Sequence, residues 1–320
     1  MSVTFSIIIV TKNAAATLER AIASVGAQRY RPHEFIIVDG ASSDGTIGII
    51  ERHRHLITHF CSEPDRGIYD AMNKGLARAT GDFIYFLGAD DYLFDDRVLG
   101  DVAAFLGPDP GADLVYGGLQ VRFPDGSAKD FMPPAPEGAL AFMISGCLPH
   151  QASFASRRAF AIAGNFDLRY RIAGDYEWFL RILTQPALAI RRFERIVACY
   201  RMDGMSNRLA ESQAEVYAIQ NRLPLFQQQD WRRRRLRVFR RELFSQRRRS
   251  VMLASGPSRR HRLAKAMALG ELLLRDVLGR VVALGTGGFS SEGRLRALQQ
   301  DLLAQRIAND AREWRSPDIA

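Results

Sequence analysis

The sequence predicts an α/β fold, a largely parallel sheet covered by helices on both faces. Two patterns in the first half carry this expectation. Short, uninterrupted apolar runs alternate with stretches whose apolar residues recur at helical spacing. Each apolar run also ends in a small cluster of polar residues. Strands that read as continuous apolar runs are buried on both faces, as in parallel sheets sandwiched by helices.

The elements follow in order. "FSIIIVT" (5–11) reads as a buried strand, "AATLERAIASV" (15–25) as an amphipathic helix and "EFIIVDG" (34–40) as a second strand. "GTIGIIERHR" (45–54) is helical, and "LITHFCS" (56–62) is a third strand. "GIYDAMNKGLARAT" (67–80) is a helix with Ile68, Met72, Leu76 and Ala79 on one face and Tyr69, Asp70, Asn73 and Lys74 on the polar one. "DFIYFL" (82–87) and "ADLVYGGL" (112–119) are strands four and five. Beyond them, "VRFPDGSAKDF" reads as a hairpin turning at Pro124-Asp125-Gly126. "DYEWFLRILTQ" (175–185) is a helix, and "LAIRRFERIVACYR" (188–201) is strand-like.

Composition sets outer bounds. Apolar residues make up 47% of the 320 and charged residues 25%, values that allow a sizeable soluble core. The first residues lack a basic leader and a small-residue cleavage site, so no secretory signal is expected. Cys61, Cys147 and Cys199 are odd in number and far apart, which fits neither a disulfide framework nor a zinc site and suits a reducing cytoplasm. Charge is uneven. Residues 1–207 hold 21 basic and 24 acidic side chains, whereas 208–320 hold 23 and 11. This asymmetry divides the chain into a domain over 1–207, with halves 1–119 and 120–207, and a basic helical region over 208–320.

Ligands of parallel α/β sheets bind beyond the carboxyl ends of the strands. The residues at those ends are Thr11-Lys12-Asn13, Asp39-Gly40, Glu63-Pro64-Asp65-Arg66 and Gly88-Ala89-Asp90-Asp91. The set is rich in acids, and no Gly-x-Gly-x-x-Gly follows the first strand, which disfavours a dinucleotide site. Asp90 and Asp91 repel each other unless a cation neutralises them. A hard ion such as Mn²⁺ or Mg²⁺, sharing one or two carboxylates with diphosphate oxygens, suits the pair. The competing structural reading makes one of them a helix cap, but Asp95 and Asp96 stand better placed to cap a helix near 95–105. Asp44 reads as a helix N-cap, and Asn13 either caps the first helix or touches ligand.

"SIIIVTKN", "FIIVDGASSDGT", "FLGADD" and "AGDYEWFLR", in this order and spacing, resemble the family 2 inverting glycosyltransferases of GT-A fold across roughly residues 4–206. "EPDRGIYDAMNKG" and "PHQASF" are similar to bacterial members that build surface or exopolysaccharide repeat units. The resemblance implies inverting transfer of a sugar, UDP-linked above all, to a saccharide or lipid-linked saccharide. It places Thr11, Asp39 and Ala89 in the donor site and Asp90, with Asp91 beside it, at the metal; Arg66 and the N-terminus of the helix over 67–80 form a positive donor-side site near the diphosphate, and Lys74 either reaches the donor or pairs with Asp70 at i,i+4. Asp39 would accept a hydrogen bond from the uracil imide. Asp175 would be the base that takes the acceptor's proton, its structural alternative being a plain N-cap. His150, Gln151 and Glu177 are acceptor-site candidates, and Asp203 and Ser206 lie in a segment that could close over the donor. Gly88 departs from the family, standing where its first metal-motif acid is expected, and so implies an ion held more by diphosphate than by protein.

Two other functions fit parts of the pattern. A nucleotidylyltransferase would share the nucleotide half, but "TKNAAAT" lacks the Gly-rich basic loop it needs. A catalytically degenerate membrane-docking partner would explain Gly88, but Asp39, Asp90 and Asp175 oppose it. "DWRRRRLRVFRRELFSQRRRS" (230–250) and a stripe of Leu263, Met267, Leu274, Val277 and Val281 read as basic amphipathic helices. Five charges within 263–284 argue against a spanning helix. The region is expected either to lie on an anionic membrane, at the inner face of the plasma membrane, or to pack as a bundle on the catalytic domain. No nucleic-acid module accompanies the arginines.

Overall fold

The computed structural model describes residues 3–107, 111–201, 209–253 and 291–313. The chain divides into two compact units, Met1–Asn207 and Arg208–Ala320. The stripe over 263–284 and the candidates Asp203 and Ser206 lie outside the described residues.

The first unit opens with β1 (Phe5–Thr11), α1 (Leu18–Gly26), β2 (Glu34–Asp39), α2 (Thr46–Arg52), β3 (His59–Ser62), α3 (Ile68–Leu76) and β4 (Phe83–Gly88). β5 (Tyr92–Leu93), α4 (Val98–Leu106), β6 (Leu114–Arg122), β7 (Ala128–Phe131) and α5 (Pro136–Phe142) come next. The unit closes with β8 (Ser153–Ser156), α6 (Arg157–Ala163), α7 (Gly174–Leu183) and β9 (Ile190–Arg201). The strands form one sheet in the order β3-β2-β1-β4-β8-β6-β9-β5, with β7 paired to β6. β1 to β4 are parallel, β8 is antiparallel to both β4 and β6, and β9 runs parallel to β6.

Every residue of β1 and β2 is buried, which is why these strands read as unbroken apolar runs. Ile7 and Ile9 join the core under α1 and α4, with Leu18, Ile22, Val98 and Val102. On the other face α3 lies close to the sheet. A Cβ at Gly75 would come 2.6 Å from Ile8 Cγ2, so the absence of a side chain sets that distance. The polar ends of the strands are also tied. Glu34 accepts hydrogen bonds from the Ser6 hydroxyl and from both the N–H and hydroxyl of Thr80, each at 2.5 to 2.7 Å.

Three local expectations change. The buried face of α3 is Tyr69, Ala71, Met72 and Gly75, while Ile68 is exposed. Tyr69 turns inward because it packs on a second element, α7, that local periodicity cannot register. β8 was not expected at all. At four residues, joined directly to α6, it is too short to show a period. Asp95 and Asp96 do not cap α4, whose N-cap is Arg97. Asp95 instead accepts the Arg97 N–H and pairs with Arg195, and Asp96 pairs with Arg29.

The second unit is helical, with α8 (Leu209–Arg222), α9 (Pro224–Gln227), α10 (Gln229–Leu253) and α11 (Ser291–Glu313). The arginine-rich run forms α10. Its inner face buries Phe239, Leu243 and Arg235. The Arg235 guanidinium lies 5.6 and 5.7 Å from the Phe226 and Phe239 ring centres and donates to Asn221 Oδ1. Arg306 of α11 pairs with Glu242 of α10. Arg233, Arg234, Arg237 and Arg241 face outward. No helix among the described residues is long and apolar enough to cross a membrane.

Candidate active site

Strand register brings the predicted residues to one edge. Thr11 is opposite Asp39, Asp39 opposite Ser62, and Val10 opposite Gly88. Thr11 is buried, and its Oγ1 has no hydrogen-bond partner among the described residues. A buried hydroxyl left unpaired carries a cost that a ligand atom can remove. Asp39 is fully buried. Its Oδ2 accepts the Ser42 N–H at 2.9 Å and the Ser62 hydroxyl at 2.6 Å, and its Oδ1 accepts the Ser42 hydroxyl. A carboxylate has about four acceptor positions, so one remains on Oδ1. The same bonds hold the turn in which Ala41 takes a left-handed φ of 58°. Ser42 and Ser62 were not singled out from the sequence; Ser42 reaches Asp39 within the turn that follows β2, and the pairing of β2 with β3 brings Ser62.

Asn13 also has a positive φ, 51°, and its Oδ1 accepts the Ser43 N–H. It braces this turn and caps no helix. Asp44 is not the N-cap of α2, which is Gly45; bonds from the Thr46 hydroxyl, then the Thr46 N–H and the Ala15 N–H, draw its carboxyl below the usual range. Lys74 is held by Glu63 at 3.0 Å, Asp70 at 3.4 Å and the Pro64 carbonyl at 2.9 Å. It clamps the loop ahead of α3. Arg66 contacts Asp70, and its side chain is 78% exposed.

Asp90 and Asp91 follow β4. Asp91 is 2% exposed, and burial, then the Asp90 charge, push its carboxyl up to about 7 against the pull of His150, the Arg201 N–H and Gln151. Gly88 shows how the two acids meet. A Cβ there would lie 2.5 Å from Asp91 Oδ2 and 2.9 Å from Asp90 Oδ1. One oxygen from each aspartate therefore converges on the space above the Gly88 Cα. Two converging carboxylate oxygens, one of them costly to ionise alone, fit a divalent ion that takes its remaining ligands from water and diphosphate. Ala89, half-buried, lies between Gly88 and Asp90.

Asp175 lies in the first turn of α7. The helix N-cap is Ala173, and the Asp175 carboxylate turns to two side chains instead. Tyr69 donates its hydroxyl to Oδ1 at 2.9 Å, and His150 Nδ1 is 3.2 Å from Oδ2. Burial raises the Asp175 carboxyl, but the bond and charge of His150, then the Tyr176 N–H and the Tyr69 hydroxyl, outweigh it and hold the group below its ordinary value. His150 moves the other way. Burial lowers it, while Asp175 and the more distant Asp91 and Asp90 raise it further. Gln151 is buried, and its side chain reaches Asp91. Glu177 pairs with Arg181 at 2.9 Å, and Arg181 also donates to the Asn165 carbonyl. Apolar side chains anchor α7, with Trp178 stacked 4.6 Å from Phe160 and Phe179 and Ile182 buried.

An acid-lined edge beyond parallel strands, with a separately held carboxylate on a later helix, is the architecture of a GT-A glycosyltransferase. The family model for glycosyl transferase family 2 matches residues 6–163. A PGL/p-HBAD biosynthesis glycosyltransferase of Mycobacterium bovis is 38% identical over 218 residues, covering 65% of this chain and 81% of that protein. The amylovoran biosynthesis glycosyltransferase AmsB of Erwinia amylovora is 28% identical over 192 residues, 56% of this chain and 64% of that one. Among solved structures, S. aureus TarS 1-349 in complex with UDP-GlcNAc aligns with a TM-score of 0.58 at 18% identity, covering 97% of this chain and 92% of that one. The chain belongs to glycosyl transferase family 2, and it is a sugar-transferring enzyme.

Proposed function

We propose that this enzyme transfers a sugar with inversion from a UDP-linked donor to a saccharide or lipid-linked saccharide acceptor. The observation that carries the reading is Asp175, a carboxylate kept ionised and gripped at both oxygens beside a sheet edge that suits a nucleotide. In a single displacement the acceptor oxygen bonds to the anomeric carbon as the bond to the diphosphate breaks on the opposite face. The acceptor hydroxyl must lose its proton, and Asp175 takes it. Asp90 and Asp91 would hold Mn²⁺ or Mg²⁺, which supplies positive charge for the departing diphosphate. Thr11 Oγ1 and the spare position on Asp39 Oδ1 are where the nucleoside would bond, with Ala89 alongside. Arg66 offers its exposed charge to the phosphates, and Lys74 holds the loop that carries it. His150, Gln151 and Glu177 border the acceptor side.

The outward arginines of α10 suit an anionic membrane surface, where a lipid-linked acceptor would be found. On this reading the enzyme works peripherally on the inner face of the plasma membrane. Asp175→Asn tests the central step. It keeps the shape of the side chain but cannot take the proton, so turnover should fall roughly 10²–10⁴-fold while UDP affinity and melting temperature hold. Normal turnover in that variant would remove Asp175 from the mechanism.

A further inference from the structure

We propose that Tyr69 is the positioning residue for Asp175, its hydroxyl aiming the carboxylate while its ring fixes the helix end that carries it. The inference rests on reading Asp175 as the base. Tyr69 occupies the first turn of α3, beside the loop of Arg66, and is buried. Its ring lies directly on the residue before the base. A Cβ at Gly174 would come within 2.7 to 2.9 Å of three Tyr69 ring carbons. Position 174 is thus glycine because the tyrosine ring fills the space a side chain would need.

The hydroxyl stands between two acceptors, Asp175 Oδ1 at 2.9 Å and the Ile172 carbonyl at 2.6 Å. A phenol has one proton to donate. While Asp175 is ionised, the charge-assisted bond draws that proton to Oδ1. Once Asp175 has accepted a proton, the hydroxyl can turn to Ile172 without being left unpaired. Tyr69 can thereby serve both protonation states of its neighbour. Burial first, and then the Asp175 charge, keep the phenol protonated far above the neutral range. It is a donor and not a competing base.

One turn farther along the helix, Asn73 donates to the Phe166 carbonyl at 2.9 Å and accepts the Phe166 N–H at 3.0 Å. Tyr69 and Asn73 lie on one stripe of α3 and fasten both ends of the 166–175 segment. The helix that follows the Arg66 loop on the donor side therefore also sets the base. Among the described residues, His150 (from the turn before β8) and Cys147 also face Asp175.

The test uses full-length enzyme with Mn²⁺ and a panel of UDP-glucose, UDP-N-acetylglucosamine and GDP-mannose. Water is the acceptor, and released nucleoside diphosphate is the readout. Tyr69→Phe keeps the ring on Gly174 and removes only the hydroxyl. Its kcat should fall roughly ten- to a hundredfold, with donor KM and melting temperature unchanged. On an Asp175→Asn background the same change should cost nothing further. Gly174→Ala keeps the hydroxyl but pushes the ring away, and it should lower kcat in the same direction. An unchanged kcat in Tyr69→Phe, beside an inactive Asp175→Asn, overturns the positioning role and leaves the base standing. A change in donor KM alone also overturns it. An active Asp175→Asn overturns the base reading itself.

Discussion

Gly88 yields the sharpest prediction, because the obvious repair should fail. The metal motif of the resembled family carries an acid at this position, so Gly88→Asp looks like a gain of one ligand. The geometry predicts a loss. Any Cβ at residue 88 starts 2.5 Å from Asp91 Oδ2 and 2.9 Å from Asp90 Oδ1. Ordinary carbon–oxygen contact requires the nearer oxygen to retreat by roughly 0.7 Å or more. Metal–ligand distances tolerate only about 0.2 Å, so both carboxylates would leave the point on which they converge. Asp91 has little room to retreat because it is buried and held by the Arg201 N–H at 3.2 Å. A third carboxylate would also raise the cost of ionising Asp91, which is already pushed up to about 7 by burial and by Asp90. Gly88→Ala isolates the steric part, and Gly88→Asp adds the charge. Both should weaken Mn²⁺-dependent UDP binding by at least about tenfold, or ~1.4 kcal/mol, with Gly88→Asp the weaker of the two. Calorimetric titration of UDP with and without Mn²⁺ measures it. Tighter Mn²⁺-dependent binding by Gly88→Asp would refute the argument that the glycine makes room for the two acids.

Glu34 should make stability pH-dependent on the acid side. Burial raises its carboxyl, but hydrogen bonds from Ser6 and Thr80 outweigh this and hold it below 4.5. Its contribution is thus complete above about pH 4.5 and drains away as pH falls through the lowered native value. Glu34→Gln should lower stability by about 1–3 kcal/mol at pH 7 and flatten the melting-temperature curve below pH 4.5; an unchanged slope would show that the network is not coupled to folding. For the basic helix, Arg233→Glu with Arg237→Glu should reduce co-sedimentation with phosphatidylserine vesicles at low salt, each arginine near the surface contributing on the order of 1 kcal/mol. Equal sedimentation of variant and parent would leave α10 as a bundle helix only.

What the sequence revealed, and what it concealed, divides along a physical line. β1, β2 and β4 were legible because they are buried on both faces, so burial and chain order coincide. Asp39, Asp90 and Asp91 were legible because each ends such a strand, and the topology of parallel sheets sends strand ends to one edge. β8 and the inward turn of Tyr69 were not legible. β8 is four residues long and antiparallel, and its register with β4 and β6 depends on a chain reversal that no local pattern records. Tyr69 sits beside Asp70 and Lys74 on what reads as a polar face, and only the arrival of Gly174 at its ring shows otherwise. Gly88 and Gly174 share this character. In both, the sequence displays a small residue, and the reason is a neighbour brought there by folding.

The carboxylates of the site differ in a way that suits the separate roles proposed for them. Asp91 and Asp175 are both largely hidden from water, yet Asp91 is pushed up to about 7 and Asp175 is held below its ordinary range. The difference lies in what surrounds each. At Asp91 burial and the Asp90 charge outweigh the pull of His150, the Arg201 N–H and Gln151. Asp175 has an imidazole at one oxygen and a phenol at the other. A carboxylate that burial and a like charge disfavour is relieved by a cation, which suits the departing diphosphate. A carboxylate kept ionised by its donors and by the His150 charge needs no metal ion, and it is available for the proposed role of base. Its low basicity is not a handicap for the inverting transfer proposed. As the acceptor oxygen bonds to the anomeric carbon, its proton becomes strongly acidic, so even a weak base placed correctly will take it. On the proposed reading, placement is therefore the demanding requirement at Asp175, while charge is the demanding one at Asp90 and Asp91. Environments that push neighbouring carboxylates apart in this way separate roles within a single site.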